Sequence, residues 1–85
     1  MPGRLEDWQR IRSFVVARTA IDGGIRLELD ERAPFDELTR LMKAEQECCT
    51  FFAFALTIDG RGVALEVRAP GDALPVVYAL FGAPG

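Results

Sequence analysis

The stretch Ala17-Arg18-Thr19-Ala20-Ile21-Asp22-Gly23-Gly24-Ile25-Arg26-Leu27-Glu28-Leu29 returns later in the chain as Ala55-Leu56-Thr57-Ile58-Asp59-Gly60-Arg61-Gly62-Val63-Ala64-Leu65-Glu66-Val67. Each copy has Thr, then Ile-Asp-Gly, then an alternating run that contains Leu-Glu. Asp22-Gly23 and Asp59-Gly60 predict hairpin turns, because glycine takes up positive φ at little cost. Ile25, Leu27 and Leu29 alternate with Arg26 and Glu28, and Val63, Leu65 and Val67 alternate with Ala64 and Glu66. Both are period-two patterns of strands with one buried face. The echo continues: Arg32-Ala33-Pro34-Phe35-Asp36-Glu37-Leu38 matches Arg68-Ala69-Pro70-Gly71-Asp72-Ala73-Leu74, with two short gaps needed to hold the register. Pro34 and Pro70 predict helix starts, where a missing N–H costs little. Gly82 predicts the end of the second helix.

The predicted order is therefore ββαββα, an α+β domain built from an internal repeat. It can be drawn as a four-stranded antiparallel sheet with two helices on one face, a circularly permuted ferredoxin-like sandwich. Residues 1–85 form one domain, with an N-terminal arm at 1–15, a first ββα unit at 16–49 and a second at 51–82. In the arm, Leu5, Trp8, Ile11, Arg12 and Val15 fall at helical spacing and predict a further helix over Leu5 to Val15. Such a helix could simply pack on the core, cover the open sheet face as a lid, or dock on a second subunit. Phe51, Ala53 and Ala55 alternate with Phe52, Phe54 and Leu56, so the third strand is apolar on both sides. Cover by the arm or by a partner chain is expected there.

Chemistry concentrates in Ala44-Glu45-Gln46-Glu47-Cys48-Cys49-Thr50-Phe51-Phe52. Cys48 and Cys49 are the only cysteines, and the chain has no histidine. On a helical wheel from Phe35 to Cys49, the residues Phe35, Leu38, Leu41, Met42 and Cys49 share one face, with Cys48 at its edge. Asp36, Arg40, Lys43 and Glu47 point the other way. Glu45 falls in the middle of the apolar face, where an unpaired carboxylate is costly. An arginine such as Arg18 or Arg26 could pair with it there. Its other neighbours are Cys48 and Cys49, three and four positions on, at the spacing that sets helical side chains side by side.

A carboxylate beside a thiol, and the C-terminal end of a helix, both work against a standing thiolate. A soft cation reverses that balance by deprotonating its own ligands. This favours capture of a metal or metalloid over redox catalysis. Adjacent cysteines point about 100° apart in a regular helix, so both can hold one ion only if the last turn opens. Two chains together could offer four thiols, the number a structural zinc site wants. The plainer reading makes either cysteine a small buried hydrophobe and Met42 a core residue.

Bulk properties narrow the classes further. The hydrophobic fraction of 49%, with 27% charged residues, suits a folded domain and argues against wholesale disorder. Net charge is −3 and no basic stripe is present, so a nucleic-acid partner is not expected. The start lacks the apolar core of a signal peptide and no run approaches a membrane span. A cytoplasmic, reduced protein with no membrane partner is the expectation. There is no Gly-rich phosphate loop, no Cys-x-x-Cys and no His-based triad.

The run Ala44 to Phe54, followed by Leu65-Glu66-Val67-Arg68-Ala69-Pro70 and Ala79-Leu80-Phe81-Gly82, resembles a family of small bacterial proteins common in high-GC actinobacteria. Similar segments occur beside, or fused to, metal-responsive regulators of the mercury-resistance type. The resemblance covers roughly residues 15–82 and centres on Glu-x-x-Cys-Cys-x-Phe. It implies a thiol-centred role near heavy-metal handling and no particular reaction.

Three functions are thus expected, in this order. The first is a soft-metal or metalloid module with Cys48, Cys49 and Glu45 as the site and Hg(II), Zn(II), Cu(I) or arsenite as the ligand. The second is a structural module that forms a homodimer, with its cysteines in the core. The third is a small thiol redox protein, which would need a cysteine with depressed pKa.

Overall fold

Two hairpins build the sheet. In the computed structural model, which describes residues 4–48 and 50–84, strands β1 (Val15–Ile21) and β2 (Gly24–Leu29) form the first, and β3 (Ala53–Asp59) and β4 (Gly62–Arg68) the second. The strand order is β1-β2-β4-β3 and every neighbouring pair is antiparallel. The hairpins meet where β2 pairs with β4, with Ile25 opposite Val67, Leu27 opposite Leu65 and Leu29 opposite Val63. These are the alternating residues of the two sequence runs, and they form the floor of the core.

The first turn is Asp22-Gly23, with Gly23 at φ 76°. The second turn falls one residue later than expected. Asp59 closes β3 opposite Gly62, the loop residues are Gly60 and Arg61, and the positive φ of 107° belongs to Gly62. The reason is local. The Asp59 carboxylate accepts the Arg61 backbone N–H at 2.9 Å, an Asx turn that settles the loop from the aspartate onward. Gly24 is needed for a different reason. It is buried, and a Cβ there would run into the Val67 carbonyl on β4.

Helix α2 (Phe35–Cys48) follows Pro34 directly, and the Leu38 N–H reaches the Pro34 carbonyl at 2.9 Å. After Pro70 the chain first makes a short 3-10 turn (Gly71–Ala73) before α3 (Leu74–Phe81), which carries Pro75 in its own first turn. Helix α3 stops at Gly82 as expected, at φ 95°.

The N-terminal helix α1 spans Arg4–Arg12 and stops short of Val15, which already belongs to β1. Of the alternatives above, its position agrees with the arm that packs on the core. It does not cover the open sheet face. It lies on the helical side, against α2 and α3, with Trp8 and Ile11 wholly buried beside Leu38, Val77 and Phe81. The aromatic ring of Trp8 explains this choice, since it fits between Phe54 of β3 and Phe81 of α3. The domain is therefore α+β, a four-stranded antiparallel sheet with three helices. The opposite face of the sheet, with Ala53, Ala55, Thr57, Arg26 and Glu66, has no described element over it. No helix among the described residues is long and apolar enough to cross a membrane.

Candidate functional site

The end of α2 carries the candidate site. Leu38 and Leu41 are buried, and Phe35 and Met42 pack partly buried against the same core. Asp36, Arg40, Lys43 and Glu47 are all exposed. The helical wheel thus assigns the faces as expected, and Met42 serves the core. Cys48 is the last helical residue and is exposed. Cys49 lies outside the described residues. The turn that follows is braced by Gln46, whose Nε2 donates to the Thr50 carbonyl at 3.1 Å. Phe51 is 44% exposed, its ring centroid 4.6 Å from that of the buried Phe52.

Glu45 faces the core. It is 1% exposed, on the same side of α2 as Leu38 and Leu41. Its Oε1 accepts the indole N–H of Trp8 at 3.0 Å, a contact between residues 37 positions apart. Such a bond answers two costs together, since a buried carboxylate needs donors and a buried indole N–H needs an acceptor. Trp8 stacks on Phe54 at 6.2 Å and meets Phe81 edge-on at 4.8 Å, so aromatic rings wall the carboxylate on the sheet side. Helix α1 is tied to α2 a second time by the ion pair of Arg10 with Glu37.

The arginines expected near Glu45 are engaged elsewhere. Arg18 donates Nε to the Phe81 carbonyl at 2.9 Å, at the end of α3. Arg26 lies on the opposite face of the sheet, 6% exposed, where it donates to Glu66 Oε2 at 2.9 Å. Glu66 also accepts from Arg68 at 3.1 Å. The hydrogen bond from Arg26 first, and that from Arg68 second, hold the Glu66 carboxyl below its ordinary value. Asp30 and Asp59 are held low in the same way, by hydrogen bonds from Arg32 and Arg61 two residues on.

The two predicted site residues that the structure describes differ in setting. Cys48 is open to solvent, and Glu45 sits one turn earlier, inside the core and under Trp8. No group of three His, Cys, Asp or Glu side chains gathers at metal-binding distance among the described residues. Depressions of about 480 Å³ along the outer side of α2 and about 490 Å³ beside the β3–β4 turn are not lined by Glu45 or Cys48. The residue that sequence reasoning missed is Trp8. The available signal was two anomalies at once, a glutamate on an apolar face and a donor-only aromatic on the arm.

Searches of protein-family models, of curated proteins and of solved structures found no match to this chain.

Proposed function

We propose that this chain is a soft-metal or metalloid binding module whose ligands are Cys48 and Cys49, with Glu45 as the carboxylate of the site. The observation that carries the reading is the pairing of an exposed Cys48 at the end of α2 with a wholly buried Glu45 one turn before it. A thiol at a helix terminus can be reached by an incoming ion. A carboxyl group one helical turn earlier is a further oxygen ligand or proton acceptor at the spacing that makes helical side chains neighbours. The family resemblance of Glu-x-x-Cys-Cys-x-Phe adds heavy-metal resistance or sensing as the setting. Thiolates alone do not select strongly among Hg(II), Zn(II), Cu(I) and arsenite, so the ion is left to experiment. As part of the same proposal we assign the chain to the permuted ferredoxin-like sandwiches built from two ββα copies, a reading that the strand order β1-β2-β4-β3 supports.

The test is native mass spectrometry of the reduced protein with Hg(II), Zn(II) or arsenite, under glutathione competition. Retention of one ion per chain or per dimer is expected, with loss in the Cys48→Ser/Cys49→Ser variant. One ion per dimer would mean that two chains contribute thiols to a shared site. An ion held equally well by the double variant, or none held at all, ends the metal reading.

A second reading, a homodimerising interaction module, is favoured by the sheet face that no described element covers. Sedimentation of the metal-free protein separates the two. A dimer that persists unchanged in the double serine variant, which holds no ion, supports the second reading.

A further inference from the structure

We infer that the outer side of β3 pairs with β3 of a second copy, antiparallel about a two-fold axis at Leu56, so that two sheets become one. This rests on the dimer reading above and deepens it, since it moves the contact from the face of the sheet to its border and names the residues. Neither cysteine takes part.

The backbone comes first. Strand β3 is last in the sheet order, and among the described residues no strand pairs with its outer side. In an antiparallel ladder, successive residues turn their N–H and C=O groups alternately to one neighbour and to the other. The Ala69 N–H donates to the Gly23 carbonyl at 3.0 Å, one step beyond the pair Gly24 and Arg68. That bond sets the alternation. Val63, Leu65 and Val67 turn to β2, and Ala64, Glu66 and Arg68 turn to β3. Opposite these, Ala53, Ala55 and Thr57 turn to β4. Phe54, Leu56 and Ile58 therefore carry their N–H and C=O groups on the outer side. Bulges, prolines and basic residues usually guard such a side. Strand β3 runs in unbroken register from Ala53 to Asp59, with no proline and no basic residue.

The side chains then select the partner. About an axis at Leu56, the two copies of Leu56 meet, Phe54 meets Ile58, Ala55 meets Thr57 and Ala53 meets Asp59. Phe54 and Leu56 are partly buried against the core, and Ile58 is the most exposed large hydrophobic among the described residues. Pairing thus covers Ile58 with the Phe54 ring of the second copy, and does so twice. The charges agree as well. Arg68 lies opposite Ala53 on β4, and Asp59 of the second copy would meet that alanine from the other side. Alanine is short enough for the guanidinium to extend over it toward the carboxylate. Arg68 and Asp59 are both accessible for this. An extended peptide of another protein would satisfy the backbone without these matches.

Sedimentation velocity of the metal-free full chain over a range of concentrations gives the dimer dissociation constant. Ile58→Lys removes the apolar match and puts a cation on the pairing side of each copy. It should raise that constant about tenfold or more. Val16→Lys, at a comparably exposed position on the other outer strand, should change it less than about twofold. A second measurement reads the register. Ala55→Cys and Thr57→Cys are each made in Cys48→Ser/Cys49→Ser, then mixed in equal amounts and oxidised. The mixture should cross-link, because positions 55 and 57 are cross-strand neighbours about this axis. Neither variant alone should do so, because like positions then lie beyond disulfide reach. A dimer unmoved by Ile58→Lys, or weakened as much by Val16→Lys, overturns the pairing and leaves the dimer reading with the sheet face. Cross-linking as ready in either variant alone as in the mixture overturns the axis at Leu56. A wild type that stays monomeric at every concentration overturns both the pairing and the dimer reading, and leaves the outer side of β3 to an extended segment of another protein.

Discussion

Arg18 leaves the edge strand β1 on its helical side and donates Nε to the last carbonyl of α3, that of Phe81. A cation at that end of a helix meets carbonyls that have no partner within the helix and the negative pole of its dipole. Gly82 makes room for it. The backbone there is at φ 95°, and a Cβ would collide with the Arg18 guanidinium. Gly82→Ala should therefore lower stability by about 1–3 kcal/mol in chemical denaturation. Gly82 was legible as a helix stop from its place after Phe81. Its service to Arg18 was not, because the two lie far apart in sequence. Glu45 shows the same limit. Helical spacing marked it as a glutamate on the wrong face, yet spacing carries no information on which distant donor would meet it. The expectation is an arginine such as Arg18 or Arg26, and the donor that meets Oε1 is the Trp8 indole.

At the level of elements, alternation did most of the work. Ile25, Leu27 and Leu29, and then Val63, Leu65 and Val67, gave both inner strands and their buried sides, because a period of two leaves only one way to bury them. The Asp59-Gly60 pair predicts the second turn one residue early, because the aspartate ends the strand and caps the loop. The other face of these strands was the harder part. There Arg26, Glu66 and Arg68 form a cross-strand network, with Arg26 opposite Glu66 in register. The Glu66 carboxyl is held low by Arg26 and then by Arg68. A group whose pKa is depressed by folding adds stability above its unfolded value, and that share is lost as pH falls through the folded one. Glu66→Gln should thus be less stable than the wild type at pH 7. The gap should close as pH drops below about 4, where an unfolded glutamate is mostly protonated. Urea unfolding at stepped pH measures this, and a gap that stays constant into acid would contradict it. The Asp30–Arg32 and Asp59–Arg61 pairs lie at the surface and should contribute little, as exposed ion pairs generally do.

Across the whole molecule, the radius of gyration is 11.9 Å, about what a chain of this length reaches when it closes on one core. That core draws on all parts of the sequence: Trp8 and Ile11 from α1, Leu38 from α2, Val77 and Phe81 from α3, and the inner strands beneath. The arm's helix was legible from its spacing, but its seat on the helical side was not. An apolar stripe tells that a helix must be covered, and leaves open by what. The two outer strands then face different hazards. The pairing of β1 with β2 is interrupted between Val15 and Ala17, and a kinked edge makes a poor template for another chain. Strand β3 pairs with β4 without a break from Ala53 to Asp59, and Ile58 near its end is 78% exposed. Fibril growth from heated or crowded protein should accordingly begin by strand addition at β3. Ile58→Lys should lengthen the lag before thioflavin-positive aggregate forms, whereas Val16→Lys, on the kinked side, should leave that lag where it was.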